Sequence, residues 1–141
     1  MRLSQTSFPK LFEPAQIGKV RLKNRVVMLP MGTAYASVLG EVTQKTIDHY
    51  LERARGGVGL ITVGGVSPFG RLNLNTLVLD ADWFMAGHYE LVEAVHAEGV
   101  AICAQLLHTG RAWYPWVLDG RQPVSASDVT CRYLGEVEYP K

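Results

Sequence analysis

A chain of 141 residues has room for one domain, and a hydrophobic content of 48% supplies enough apolar material for a core. A formal charge of +1, from 14 Lys and Arg against 13 Asp and Glu, gives no electrostatic case for nucleic acid or an acidic membrane as partner. A disulfide framework and a metal cluster are both disfavoured by a content of only two cysteines, Cys103 and Cys131.

No apolar stretch approaches the roughly 20 residues that span a bilayer, and residues 1–10 lack the apolar centre of a signal peptide, so a cytoplasmic protein is expected. In chain order, Ile17-Gly18-Lys19-Val20-Arg21-Leu22 alternates around a Gly-Lys turn and predicts a small hairpin. Val26-Val27-Met28-Leu29 is a short apolar run halted by Pro30, which cannot donate to a central ladder; it predicts the first main strand, with its loop starting at Pro30. Thr43 is a suitable N-cap for a helix whose Ile47, Tyr50, Leu51 and Ala54 share one face, and Gly56-Gly57 should stop it. Val58-Gly59-Leu60-Ile61-Thr62-Val63 reads as a second, buried strand that Gly64-Gly65 should terminate.

Asp82 is the expected cap of a second helix, with Phe84, His88, Leu91, Val92 and Val95 on one side and Gly99 as its stop. Val100-Ala101-Ile102-Cys103-Ala104 has no polar face, as suits a parallel strand covered on both sides, and its apolar surroundings predict a packed core thiol at Cys103. Strand, helix, strand, helix, strand is the order that parallel β/α units require. Barrels and doubly wound sheets both satisfy it, and periodicity does not separate them. The loop after the first strand reads Pro-Met-Gly-Thr-Ala-Tyr-Ala, without the Gly-x-Gly-x-x-Gly turn of a dinucleotide fold.

Polar groups appear where the third strand should end, at Gln105-Leu106-Leu107-His108-Thr109-Gly110-Arg111. Together with Leu22-Lys23-Asn24-Arg25-Val26-Val27-Met28-Leu29-Pro30-Met31-Gly32-Thr33, with Leu11-Phe12-Glu13-Pro14, with Ala54-Arg55-Gly56-Gly57-Val58-Gly59-Leu60-Ile61 and with Glu93-Ala94-Val95-His96-Ala97-Glu98-Gly99, this segment resembles the old yellow enzyme family of NADH:flavin oxidoreductases, in the branch of 2,4-dienoyl-CoA reductases and enoate reductases. Pro123-Val124-Ser125-Ala126-Ser127 is similar to the Pro/Ser-rich segment that follows in that family.

The resemblance implies an α/β fold: residues 1–141 would form the amino-terminal part of an FMN-binding (β/α)8 TIM barrel, with a hairpin closing its bottom. A whole barrel takes roughly 200 residues or more, so an incomplete barrel is expected, about the first three strands of a longer enzyme. The implied activity is that of an ene reductase, in which hydride from NADH or NADPH passes through FMN to an activated alkene. This chain alone is not expected to be active, because the proton donor and the alkene-binding pair come from later strands in the family. An iron-sulfur cluster and FAD would belong only to a further carboxyl-terminal extension. The alternative is a non-catalytic barrel fragment that acts as an interaction or self-association module through exposed strand edges.

The same resemblance assigns candidate residues. An isoalloxazine ring needs close backbone approach and a few hydrogen-bonding side chains. Pro30, Met31 and Gly32 suit the backbone part, with Thr33 near the ring. Gly65, and next to it Gly64, suits the end of the second strand, where a side chain would meet the flavin. Gln105 can donate and accept at once along the pyrimidine edge. His108 and Arg111 are candidates for the substrate rim, the alternatives being a loop-holding hydrogen bond for His108 and a carboxylate pair for Arg111. Trp113, Tyr114 and Trp116 either line substrate access or pack in a loop, and His49, His88 and His96 fall on helices in structural or surface roles.

Overall fold

The computed structural model describes residues 8–71, 75–112, 123–127 and 129; Cys131, Trp113, Tyr114 and Trp116 lie outside them. A short helix α1 (Pro9–Phe12) leads into the antiparallel hairpin β1 (Ala15–Ile17) and β2 (Val20–Leu22), turned at Gly18 with φ +56°. The main body follows as β3 (Val27–Met28), α2 (Gln44–Arg55), β4 (Leu60–Val66), α3 (Met85–Ala97) and β5 (Ala101–Leu106). β3, β4 and β5 form a parallel sheet in that order.

α2 starts where the sequence predicts. The Thr43 hydroxyl accepts the Thr46 N–H at 3.2 Å, and Gly57 follows the helix with φ +97°, a conformation that costs glycine little. α3 begins differently. Asp82 makes no side-chain cap; it opens a 3-10 turn, Asp82–Phe84, that runs straight into the helix. Gly99, with φ +65°, ends that helix as expected.

One face of the sheet carries the core. Ile61 and Val63 of β4 pack with Tyr50 and Ala54 of α2 and with Leu91 and Val95 of α3, and Met28 and Ile102 join from the flanking strands. Side chains alternate along a strand. Val27, Leu60, Thr62, Ala101, Cys103 and Gln105 therefore share the opposite face, an assignment that fits the 3.5 Å approach of Cys103 Sγ to Thr62 Oγ1. Both helices lie on one side, an arrangement that a barrel wall shares with one half of a doubly wound sheet.

Two expectations are corrected here. β4 does not stop at the glycine pair but continues through Gly64 and Gly65 to Val66. Cys103 is exposed, as are the three residues that follow it in β5, because β5 is an edge strand whose carboxyl half has no cover among the described residues. An all-apolar composition specifies a strand that would be buried on both sides; it does not supply the second cover.

The amino-terminal end of the sheet is held by Asn24. Its carboxamide donates to the Gly57 carbonyl at 2.8 Å and accepts the Val26 N–H at 3.0 Å. Lys23 Nζ donates to the Glu98 carbonyl at 3.0 Å, and Arg55 pairs with the Glu98 carboxylate at 3.0 Å. A Cβ on Gly59 would fall 2.5 Å from the Asn24 carbonyl oxygen and 2.7 Å from its Oδ1. We expect Gly59→Ala to lower unfolding stability by about 1–3 kcal/mol, as overpacking against backbone does. Chemical denaturation checks this, and an unchanged midpoint would show that the Asn24 segment yields freely.

Candidate functional site at the strand ends

The loops that leave the carboxyl ends of β3 and β4 are stitched together. Val78 N–H donates to the Gly40 carbonyl at 2.9 Å, the Asn75 side chain donates to the Ala36 carbonyl at 2.8 Å, and Ser67 exchanges backbone bonds with Leu77 and Leu79. These bonds satisfy the backbone of long irregular segments and hold them at one end of the sheet.

Within that end, the register of β4 against β5 changes. Val63 pairs with Ala104, but Val66 pairs with Leu106, so Gly64 and Gly65 stand opposite the single residue Gln105. This is a one-residue bulge, a device that re-aims a strand near its end. Gly65 takes φ +65°, which the extra residue requires and glycine accepts. Gly64 has a different reason to be glycine: a Cβ there would fall 2.5 Å from the Met31 carbonyl carbon and oxygen. The backbone of the segment after β3 thus passes directly over Gly64. Its N–H donates at 3.4 Å to the hydroxyl of Tyr50, which is buried in α2.

The predicted residues fall into two groups. Met31, Gly64, Gly65 and Gln105 come together across the ends of the three parallel strands, and Pro30, Gly32 and Thr33 adjoin Met31 in the chain. Met31 and Gln105 are exposed, and a Cβ on Gly32 would meet nothing within 4 Å. The Gln105 carboxamide has no hydrogen-bond partner among the described residues, so its donors and acceptors are open to a ligand.

His108 and Arg111 lie just beyond, in the segment that follows β5 and its 3-10 turn Gly110–Ala112. His108 Nδ1 accepts the Gly110 N–H at 3.0 Å, which places the proton of the neutral ring on Nε2. Its ring meets Phe69 edge-on with centroids 5.2 Å apart. Arg111 donates to the Val129 carbonyl at 3.1 Å, so it joins this segment to residues further along the chain. Thr109 Oγ1 is enclosed, with no hydrogen-bond partner among the described residues.

The histidines on helices sit apart from this end. His49 packs edge-on between Tyr35 and Tyr50, and burial, helped by the Arg53 charge, holds its pKa below the usual histidine value. His88 Nε2 lies 3.0 Å from the Val78 carbonyl. A groove of about 530 Å³ runs along α2, lined in part by Tyr35, Lys45 and His49. Its arginines are already paired, Arg53 with Glu52 and Arg55 with Glu98, and it offers no set of converging open groups.

Two groups at the strand ends were not legible in the sequence. Tyr50 reads there only as one member of an apolar helix face, and nothing marks its hydroxyl as facing a strand. Phe69 follows a Ser-Pro pair in a loop, and its proximity to His108 arises only when the loops after β4 and β5 meet.

A sequence profile of the NADH:flavin oxidoreductase / NADH oxidase family matches residues 10–138. The chain belongs to that family. It is 47% identical over 133 residues to the NADH oxidase of Thermoanaerobacter brockii, covering 92% of this chain and 20% of that protein. The fold matches morphinone reductase with a TM-score of 0.77 at 35% identity, over 85% of this chain and 32% of the other. It matches the old yellow enzyme of Trypanosoma cruzi with a TM-score of 0.77 at 28% identity, over 88% of this chain and 36% of the other. The chain therefore spans about a fifth of that curated relative and about a third of those solved chains. Its three parallel strands and two one-sided helices are a portion of the (β/α)8 fold of this family.

Among the described residues, no helix is long and apolar enough to cross a membrane, and no group of three or more His, Cys, Asp or Glu side chains could hold a metal ion. For the bulge, we expect Gly64→Ala to be the more damaging of the two glycine substitutions. It should cost about 1–3 kcal/mol because Met31 backbone, not a flexible side chain, must move. Gly65→Ala, which incurs mainly the left-handed backbone cost, should lose about 1 kcal/mol. Thermal and urea unfolding of both variants compare them, and equal stability would contradict the close approach.

Proposed function

We propose that residues 1–141 are the amino-terminal part of an FMN-dependent (β/α)8 oxidoreductase of the ene-reductase type, with this end of the sheet forming one side of the flavin site. The observation that carries the reading is the convergence of Gly64, Gly65 and Gln105 in one bulge under the backbone of Met31. In α/β barrels, chemistry gathers at the carboxyl ends of the strands. A flat ring with one polar edge fits an open floor of glycine and main chain beside a carboxamide with unused hydrogen-bonding capacity.

When bound, FMN supplies a hydride relay: NAD(P)H is oxidised, the hydride reaches the β-carbon of an activated alkene, and a proton at the α-carbon completes the reduction. This chain's residues hold and orient the ring. Pro30, Met31 and Gly32 offer backbone against its body, and Thr33 offers a hydroxyl nearby. Gly65, with Gly64 behind it, leaves room for close approach, and Gln105 donates to and accepts from the pyrimidine edge. His108, with its proton on Nε2, and Arg111 shape the rim where the alkene enters. The groups that polarise the alkene carbonyl and deliver the proton belong to later strands, and the substrate and the choice between NADH and NADPH lie with them.

Purified from the longer reading frame that carries this segment, the protein should be yellow with bound FMN. Gln105→Leu, which keeps a similar volume, should weaken FMN binding by about 1–3 kcal/mol through unsatisfied polar partners. Fluorescence titration measures it, and an unchanged affinity would remove Gln105 from the site. Residues 1–141 expressed alone should associate, because β5 and the non-helical face of the sheet expose apolar side chains such as Leu106, at 63%. They should neither hold FMN tightly nor reduce alkenes. Light scattering together with an NAD(P)H-dependent alkene assay tests this, and turnover by a soluble monomer would overturn it.

A further inference from the structure

We propose that Tyr50 is a positioning residue for the flavin site: its hydroxyl takes the Gly64 N–H and thereby fixes the bulge that sets Gly64 and Gly65 opposite Gln105. The inference rests on reading the strand ends as an FMN site. It concerns a residue of the helix layer, behind the strand that carries the site.

A bulge removes regular partners from the strand that carries it. Gly64 N–H sits in this irregular stretch of β4, between the last regular pair, Val63 with Ala104, and the resumed pair, Val66 with Leu106. A backbone N–H that loses its strand partner needs another acceptor, and the acceptor here is the buried Tyr50 hydroxyl at 3.4 Å. That hydroxyl is itself held firmly. Tyr50 is 1% exposed, it lies on a helix whose start is fixed by Thr43, and its ring packs edge-on against His49 at 5.0 Å. Burial raises its pKa, so the phenol remains neutral at the pH values where the protein would work.

Gly64 is thus gripped from two sides. Tyr50 holds its N–H, and the Met31 backbone occupies the space where a side chain would project. A shift of Gly64 must displace Met31, and through the register it must also displace Gly65 relative to Gln105. One hydroxyl in the helix layer therefore sets the relative position of groups from three strand ends. A phenyl ring would fill the same core volume, so packing and positioning are separable in a single substitution.

The test compares Tyr50→Phe with Ile47→Val in the longer FMN-binding protein. Ile47 packs against the same core and has no polar side-chain atom to bond Gly64, so Ile47→Val reports what a loss of packing alone does. Tyr50→Phe should increase deuterium exchange in peptides covering residues 60–66, alter the visible circular dichroism of bound FMN, and weaken FMN affinity by about 2- to 10-fold, the range for one neutral hydrogen bond. Ile47→Val should change stability and leave the flavin spectrum as in the wild type.

An unchanged flavin spectrum and affinity in Tyr50→Phe would overturn the proposal, whether or not exchange rises. Equal spectral changes in both variants would also overturn it, by reducing Tyr50 to packing. If Tyr50→Phe fails to fold, exchange in the wild type decides: a Gly64 amide that exchanges as fast as an exposed loop amide is not held. Should the wild-type protein bind no FMN, the reading of the site fails separately, and exchange at residues 60–66 still tests the hydrogen bond.

Discussion

The contact between β4 and the two helices is the constraint on which the rest of this structure depends. Ile61 and Val63 bury one face of the central strand against Tyr50 and Ala54 of α2 and Leu91 and Val95 of α3. A helix has a single apolar stripe here, and a strand presents alternate residues, so this contact fixes which face of the sheet the helices cover. With both helices on one face, Thr62, Cys103 and Gln105 must occupy the other. The polar end of β5 is thereby directed to the side that barrel strands turn inward.

The two ends of the sheet are built differently. At the amino-terminal end, Asn24 and Glu98 satisfy backbone and charge through short, saturated contacts, and Gly59 is pressed against Asn24. At the carboxyl end the order of strands is interrupted by a bulge, two glycines, long loops and an open carboxamide. Barrel enzymes separate stability from chemistry along this axis. In this piece with only three parallel strands, the two ends already differ in structure along that axis.

Glycine carries several distinct tasks at these ends, and the chain pattern does not distinguish them. Gly57 and Gly99 stop helices in left-handed conformations, and Gly65 uses the same conformation to form a bulge inside a strand. Gly59 and Gly64 are instead close approaches, to Asn24 and Met31. The expectation that Gly64-Gly65 ends β4 followed from the usual breaking effect of paired glycines. It failed because pairing with β5 resumes beyond the glycines, at Val66 with Leu106, a partner remote in sequence.

By itself the sequence determined the hairpin at Gly18, the Thr43 cap, the order of parallel strands and helices, and the family, because each depends on local residue chemistry or on motifs read in order. It also singled out Met31, Gly64, Gly65 and Gln105, which the fold brings to one end. Only the tertiary structure decided that both helices lie on one face, that Cys103 is exposed, that Asp82 does not cap α3, and that Tyr50 reaches Gly64. The physical reason is that periodicity reports which side of an element is apolar, whereas cover, register and a hydroxyl's partner depend on elements tens of residues away.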